Sequence, residues 1–299
     1  MYSSAIIQAS ASLNQFEESI INALATLKLD VSRNCEPTPK ELEKLNELHD
    51  GLLILCRKDN DEARKKRCLC VGPIINKFRE QAFYMRKRMR TDECPELDSY
   101  LNTSQNDITF IVQNSFDENT RKVAILLGAV EVIAELLILN VSLFGMGEDK
   151  LENTKVRQYF ASALINLSYG NTVTKRKLCF YGHFIHTVTK IISESSALSQ
   201  VYASLIRNLS WMAEEDMIGR LHETVPALSK AAVRAHIVKD AKTLGATLQA
   251  LWNLAGHSVN NQKIICEEEG CLDMLISLLS VDPQFSALLE TSSGLCNIY

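Results

Sequence analysis

The chain is written in helical stripes. Tyr202, Leu205, Ile206 and Leu209 follow an i, i+3, i+4, i+7 spacing, and Leu42, Leu45, Leu48, Leu52 and Leu55 recur in steps of three and four. Such periods place each set on one face of an α-helix, where it can be buried; a half-buried strand would alternate in steps of two. The same grammar predicts helices over Ser12 to Leu27, Thr38 to Arg57 and Pro73 to Arg90, separated by the segments CEPTP, RKDNDEARKK and TDECPEL. Pro39 suits a first helical turn, with Thr38 as its cap. Phe78, Ala82, Met85 and Met89 form a further stripe, so the basic run from Met85 to Arg90 reads as the wet face of an amphipathic helix rather than as an import signal or phosphate patch.

From Asp107 onward a polar residue interrupts the stripes at regular intervals. Asn166, Asn208, Asn253 and Asn297 sit in the settings ALINLSY, LIRNLSW, ALWNLAG and GLCNIY, separated by 42, 45 and 44 residues. Asparagine competes with the backbone for hydrogen bonds inside a helix, so its return at one phase of an apolar helix needs a reason. The period is that of armadillo or HEAT units. Each copy reads as an Asn helix, a polar turn, a short helix, a turn and a third helix, as in VRQYFASALINLSYG, NTVTKRKLCFYG and HFIHTVTKIISES. Gly182 follows Asn166 by 16 residues and Gly270 follows Asn253 by 17, which favours the three-helix armadillo unit. A degenerate earlier copy has Gln113 in the asparagine phase and Gly128 15 residues later, and the following NVSLFGMGEDKLENTK is predicted to loop out. The expected architecture is all-α: a right-handed superhelical armadillo solenoid over residues 106–299, its last repeat truncated at Tyr299, with residues 1–105 as an irregular helical N-terminal cap.

Composition narrows the class without changing this picture. The chain has 299 residues, 46% apolar and 23% charged, with 12 Gly and 6 Pro, as suits a folded helical protein. A net charge of −4 gives no overall attraction to nucleic acid. Nine cysteines scattered through apolar helix patterns read as reduced thiols, and with no positive leader or uninterrupted apolar span the expected location is the cytoplasm or nucleus. Neither Cys179 with His183 and His186, nor Cys266 with Cys271, makes a complete zinc set, so buried thiols and surface imidazoles are expected there. No phosphate loop, nucleophile elbow or paired carboxylates occur at motif spacing, so no catalytic residue, metal or cofactor is expected.

The ladder itself is the candidate site. An amide carries both donors and acceptors, which suits Asn166, Asn208, Asn253 and Asn297 to grip the backbone of an extended peptide on the concave face. Arg207, Asn208 and Trp211 add a charge and an apolar plate of the kind enriched at binding hot spots. The competing structural reading is that Asn208 bonds locally and Trp211 fills a gap between helices. Trp252 points partly off the asparagine face. Taken alone, Lys175 with Arg176 and Lys177 reads as a solvated face.

The segments SFDENTRKVAILLGAVEVIAELL, RQYFASALINLSYG, ASLIRNLSWMAEED and LQALWNLAGHSVNNQKIICEEEG resemble the armadillo domain of the adenomatous polyposis coli family over residues 107–299, and the weaker match before them suggests a divergent, invertebrate member. The resemblance implies a non-enzymatic scaffold, a negative regulator of β-catenin in Wnt signalling with links to microtubules, found in the cytoplasm, at the cell cortex and junctions, and in the nucleus. It implies peptide-borne partners such as Rho-family exchange factors, kinesin-associated adaptors and membrane-recruitment proteins, without nucleic acid or direct membrane insertion. Its groove residues correspond here to Lys175, Arg207, Asn208, Trp211, Trp252 and Asn253, with Asn166 and Asn297 on the same ladder. Gly245 and Cys296 stand where the family carries Lys and Arg, which implies weaker anionic contacts toward the C-terminal end. A nuclear import adaptor for linear motifs is the alternative, but it needs acidic residues around its tryptophans, whereas Lys175 and Arg207 are cationic.

Overall fold

The structure is a computed structural model that describes residues 15–24, 38–91, 94–146, 151–256 and 258–279. All regular elements among these residues are helical, and they fall into two compact units, residues 1–143 and 144–299. The expected boundary after residue 105 lies inside a continuous helix.

The first unit holds α1 (15–24), α2 (Pro39–Arg57), α3 (Glu62–Arg88), α4 (Pro95–Asn114), α5 (Glu118–Leu126) and most of α6 (Ala129–Phe144). Helix α2 starts as expected, with the Thr38 N–H donating to Glu41 Oε2 at 2.8 Å, and it buries Leu45, Leu48 and Leu52. Helix α3 does not begin at Pro73. The Asp61 side chain caps it by accepting from the N–H groups of Ala63 and Arg64 at 3.0 Å, so the charged segment read as a linker is largely helix. Pro73 lies on the exposed side of α3, where the missing backbone donor costs least. Phe78, Ala82 and Met85 are buried as the stripe predicts, whereas Met89, at the end of the helix, is exposed. Helices α5 and α6 are bent by 70° at a break where Gly128 takes a positive φ of 84°. No single described helix is long and apolar enough to cross a membrane.

The apolar core of this unit contains an unannounced cluster of charge. Arg79 is buried and donates to the Leu127 carbonyl, while Glu135 is fully buried with Arg86 Nε 3.3 Å from its carboxylate. Burial pushes the Glu135 carboxyl up and pulls the Arg79 guanidinium down to about 10, because each charged form loses its hydration.

The second unit repeats a three-helix motif. Helices α7 (Leu151–Ser168), α10 (Ser196–Ser210) and α13 (Ala241–Ala255) pack side by side and carry the ladder asparagines. Between them run the short helices α8 (Thr172–Phe180), α11 (Glu215–Leu221, followed by a 3₁₀ turn) and α14 (Val259–Glu267), and the third helices α9 (Phe184–Glu194), α12 (Val225–Ile237) and α15 (Cys271–Leu279). The stripe Tyr202, Leu205, Ile206 and Leu209 is wholly buried, and Tyr202 donates its hydroxyl to the Arg157 carbonyl at 2.9 Å. The turn glycines are not equivalent. Gly270 adopts a positive φ of 76°, but after α8 the left-handed residue is His183 (φ 61°), one place beyond Gly182. In the middle copy α11 runs through the 3₁₀ turn straight into α12.

Candidate functional site

Each ladder helix ends in the same short text, Asn-Leu-Ser or Asn-Leu-Ala, and the chemistry follows from that spelling. The serine two places after the asparagine turns its hydroxyl back onto its own helix: Ser168 donates to the Leu164 carbonyl at 2.6 Å and Ser210 to that of Ile206 at 2.8 Å. Each hydroxyl oxygen then accepts from the asparagine of the next copy. Asn208 Nδ2 reaches Ser168 Oγ at 2.6 Å, and Asn253 Nδ2 reaches Ser210 Oγ at 3.2 Å and the Arg207 carbonyl at 3.1 Å. Asn208 Nδ2 also reaches the Ile165 carbonyl at 3.4 Å, so both amide groups spend their Nδ2 hydrogens on tying successive copies together and keep Oδ1 for a partner. Ala255 replaces the serine in the third copy and offers no hydroxyl. Asn166 is half-buried on α7, whereas Asn297 lies outside the described residues.

Lys175, on α8, does not project as a free cation. It is 6% exposed, and its ammonium donates to the Trp211 carbonyl at 2.9 Å, so it caps the end of α10 from the preceding copy. Burial lowers its pKa, with the field of Cys179 opposing. Its neighbour Arg176 is held by Glu214 and Asp216, at 2.6 and 2.9 Å.

Trp211 is 61% exposed, and it is the residue at which the chain leaves α10, followed by Met212 at a left-handed φ of 53°. The side chain is thus a plate standing on a turn, not a filler between helices. Trp252, within α13, is 42% exposed. Two further aromatics, not expected from the ladder, stand in the phase of Trp211: Tyr169, 68% exposed, and in the first unit Phe116, 73% exposed. Their signal was present, since both lie three places after the ladder position in NLSY and QNSF. Gly256 ends that series.

Arg207 is the exposed cation at the centre of this array. Its Nη1 donates to the neutral Gln249 Oε1 at 2.6 Å, and among the described residues it pairs with no carboxylate. Gly245, on α13, is half-buried and adds no charge. The cysteine and histidine groups belong elsewhere: Cys179 and Cys271 are buried, their thiols pushed up to about 12 by desolvation, and His186 Nδ1 lies 2.7 Å from Glu223 Oε1. Among the described residues no three His, Cys, Asp or Glu side chains converge as metal ligands.

Stacked three-helix units sharing a ladder of asparagines and exposed aromatics define an armadillo-repeat module, a class of non-enzymatic interaction scaffolds. Comparison with solved structures agrees: a designed armadillo repeat protein superimposes with a TM-score of 0.54 at 15% identity, covering 95% of this chain and 98% of that one. A computationally designed armadillo repeat protein for modular peptide recognition gives 0.55 at 16% identity, over 90% and 98%. No protein-family model matches the chain. Among curated proteins, the adenomatous polyposis coli protein-related protein 1 of Caenorhabditis elegans is 43% identical over 282 residues, covering 94% of this chain and 23% of the relative. The adenomatous polyposis coli protein of Homo sapiens is 36% identical over 190 residues, 62% of this chain and 6% of the relative. The chain belongs to the adenomatous polyposis coli family and corresponds to an armadillo-repeat portion of it, spanning about a quarter of the length of the nematode relative.

Proposed function

We propose that this chain is a scaffold module that captures extended, acidic peptide segments along the ladder of α7, α10 and α13. The observation that carries the reading is Arg207: an exposed guanidinium on the ladder, paired only with an amide, beside the projecting ring of Trp211 and the amides of Asn208 and Asn253. A guanidinium can exchange a neutral acceptor for a carboxylate that it grips through two parallel N–H groups. The exposed rings of Trp211 and Tyr169 offer apolar plates on successive copies, and the Oδ1 atoms of Asn208 and Asn253 can accept from a peptide's backbone N–H groups. Lys175 contributes by holding the Trp211 turn rather than by direct charge.

Through its relationship to the adenomatous polyposis coli proteins, the longer protein is proposed to act as a negative regulator of β-catenin in Wnt signalling and to reach microtubules, in the cytoplasm, at the cortex or junctions, and in the nucleus. The clients of this module would then be linear acidic motifs in Rho-family exchange factors, kinesin-associated adaptors and membrane-recruitment proteins. Residues 1–105 are proposed to serve as the N-terminal cap. The test is a pull-down with the wild-type chain and an Arg207→Ala, Asn208→Ala double variant, with proteins lost selectively from the variant identified by mass spectrometry. Clients carrying acidic segments support the reading; clients carrying basic import motifs would favour an import adaptor instead.

A further inference from the structure

In the first unit, a cleft of about 300 Å³ opens between α3, α4 and α5. Its charged lining is wholly cationic, Lys66 and Arg67 from α3, joined by Cys70 from the same helix, Phe110 and Asn114 from α4, and Thr120 from α5. The volume lies at the lower end of the range for ligand pockets, enough for a side chain or two.

The balance of charge on α3 explains why this cleft stays positive. The helix begins with four consecutive cations, Arg64 to Arg67. Arg64 is fully engaged, gripping Asp59 through Nε and Nη2 at 2.5 and 2.6 Å. Lys65 turns to Glu62 at 3.0 Å. The two that line the cleft are less well matched. Arg67 approaches Asp117 with Nε at 3.4 Å, and that carboxylate already accepts from the Thr120 N–H and hydroxyl at 2.8 and 2.7 Å. Lys66 is exposed and forms no ion pair among the described residues. Opposite them, Phe110 supplies an aromatic wall, and Asn114 has its Nδ2 engaged with the Phe110 carbonyl at 2.8 Å.

We propose that this cleft is a second recognition site, distinct from the ladder, for an acidic linear peptide: a Glu or Asp carboxylate between Lys66 and Arg67, with an adjacent apolar side chain against Phe110. Lys66, with no carboxylate opposite it, and Arg67, with Asp117 only at 3.4 Å, select the anion. The aromatic wall selects a peptide, since inorganic phosphate has no apolar part to place there.

Cys70 makes the cleft testable in the whole protein, because it is exposed within the site, whereas the other described cysteines are buried or half-buried. Both tryptophans, Trp211 and Trp252, lie on the ladder in the second unit, so their emission reports that site separately. The probe is an acetylated, amidated octapeptide containing Glu-Leu-Glu-Phe. The readout is the rate of Cys70 alkylation by a maleimide, located by peptide mapping and checked against Cys70→Ser. Saturating peptide should slow Cys70 alkylation about fivefold or more, a version with Gln for Glu should not, and Lys66→Ala should weaken the protection about tenfold. Protection should persist in an Arg207→Ala, Trp211→Ala variant. The proposal is overturned if millimolar peptide leaves Cys70 equally reactive, if the Gln peptide or inorganic phosphate protects as well, or if protection vanishes with the ladder variant. A ladder that fails to bind appears instead as unchanged tryptophan emission, with Cys70 still protected.

Discussion

Lys175→Met tests the most specific feature of the ladder, the claim that this lysine acts through Trp211. Methionine keeps the buried apolar stem and removes the ammonium that donates to the Trp211 carbonyl at 2.9 Å. A hydrogen bond from a charged donor contributes about 1.5–3 kcal/mol. Two features of the site put the expected loss near the lower bound: the exposed turn lets water replace the lysine, and the desolvation that lowers the Lys175 pKa is relieved in the variant. A loss of about 1.5 kcal/mol corresponds to a fall of about 3–6 °C in melting temperature for a unit of this size. In a Trp252→Phe background Trp211 is the sole tryptophan, so its fluorescence anisotropy reads the turn directly. Lys175→Met should lower that anisotropy and weaken an acidic peptide without changing how affinity depends on salt, and Lys175→Arg should restore part of both. If Trp211 is unaffected while the salt dependence becomes shallower by about one ion pair, Lys175 touches the peptide itself and the reasoning fails.

Other consequences are equally direct. Because burial raises the Glu135 pKa, its favourable contribution is present below the ordinary carboxylate range and is lost as pH rises through the shifted value; Glu135→Gln should gain stability relative to wild type as pH increases toward neutrality, and a widening advantage for wild type in urea melts would show a net stabilising ion pair instead. Tyr202→Phe removes a buried hydrogen bond to the Arg157 carbonyl and should cost about 1–1.5 kcal/mol in denaturant unfolding, with no change refuting its role. Asn208→Ala loses the tie to Ser168 and should destabilise by about 1 kcal/mol despite alanine's higher helix propensity, whereas Leu209→Ala, fully buried, should cost about 2–5 kcal/mol; the reverse order would contradict the packing described.

The stripes of apolar residues and the recurrence of asparagine were enough to read the helical repeats, because both depend on local period. What escaped the sequence depended on distance along the chain. The acceptor of the Asn208 amide, Ser168, comes from the preceding copy, and so does Lys175, whose ammonium reaches forward to Trp211; nothing within a single repeat announces either bond. The true start of helix α3 is masked in the sequence because its cap, Asp61, sits in a charged run that resembles a linker. Glu135 was hidden in an apolar stretch, where its cationic partners Arg79 and Arg86 belong to another helix. Tyr169 and Phe116 were legible in principle, since they keep the phase of Trp211, but only their exposure sets them apart from core aromatics.

The central claim, an acid-selective ladder centred on Arg207, is tested most directly by a charge-swap titration. An extended peptide with a Glu at its centre, and the same peptide with Lys in that place, are titrated into wild-type and Arg207→Glu proteins while tryptophan emission is followed. The account predicts that wild type prefers the Glu peptide, that Arg207→Glu weakens it by about tenfold or more, and that the Lys peptide recovers much of the loss with the variant. Equal affinity of the Glu peptide for both proteins, with each folded by circular dichroism, would contradict it.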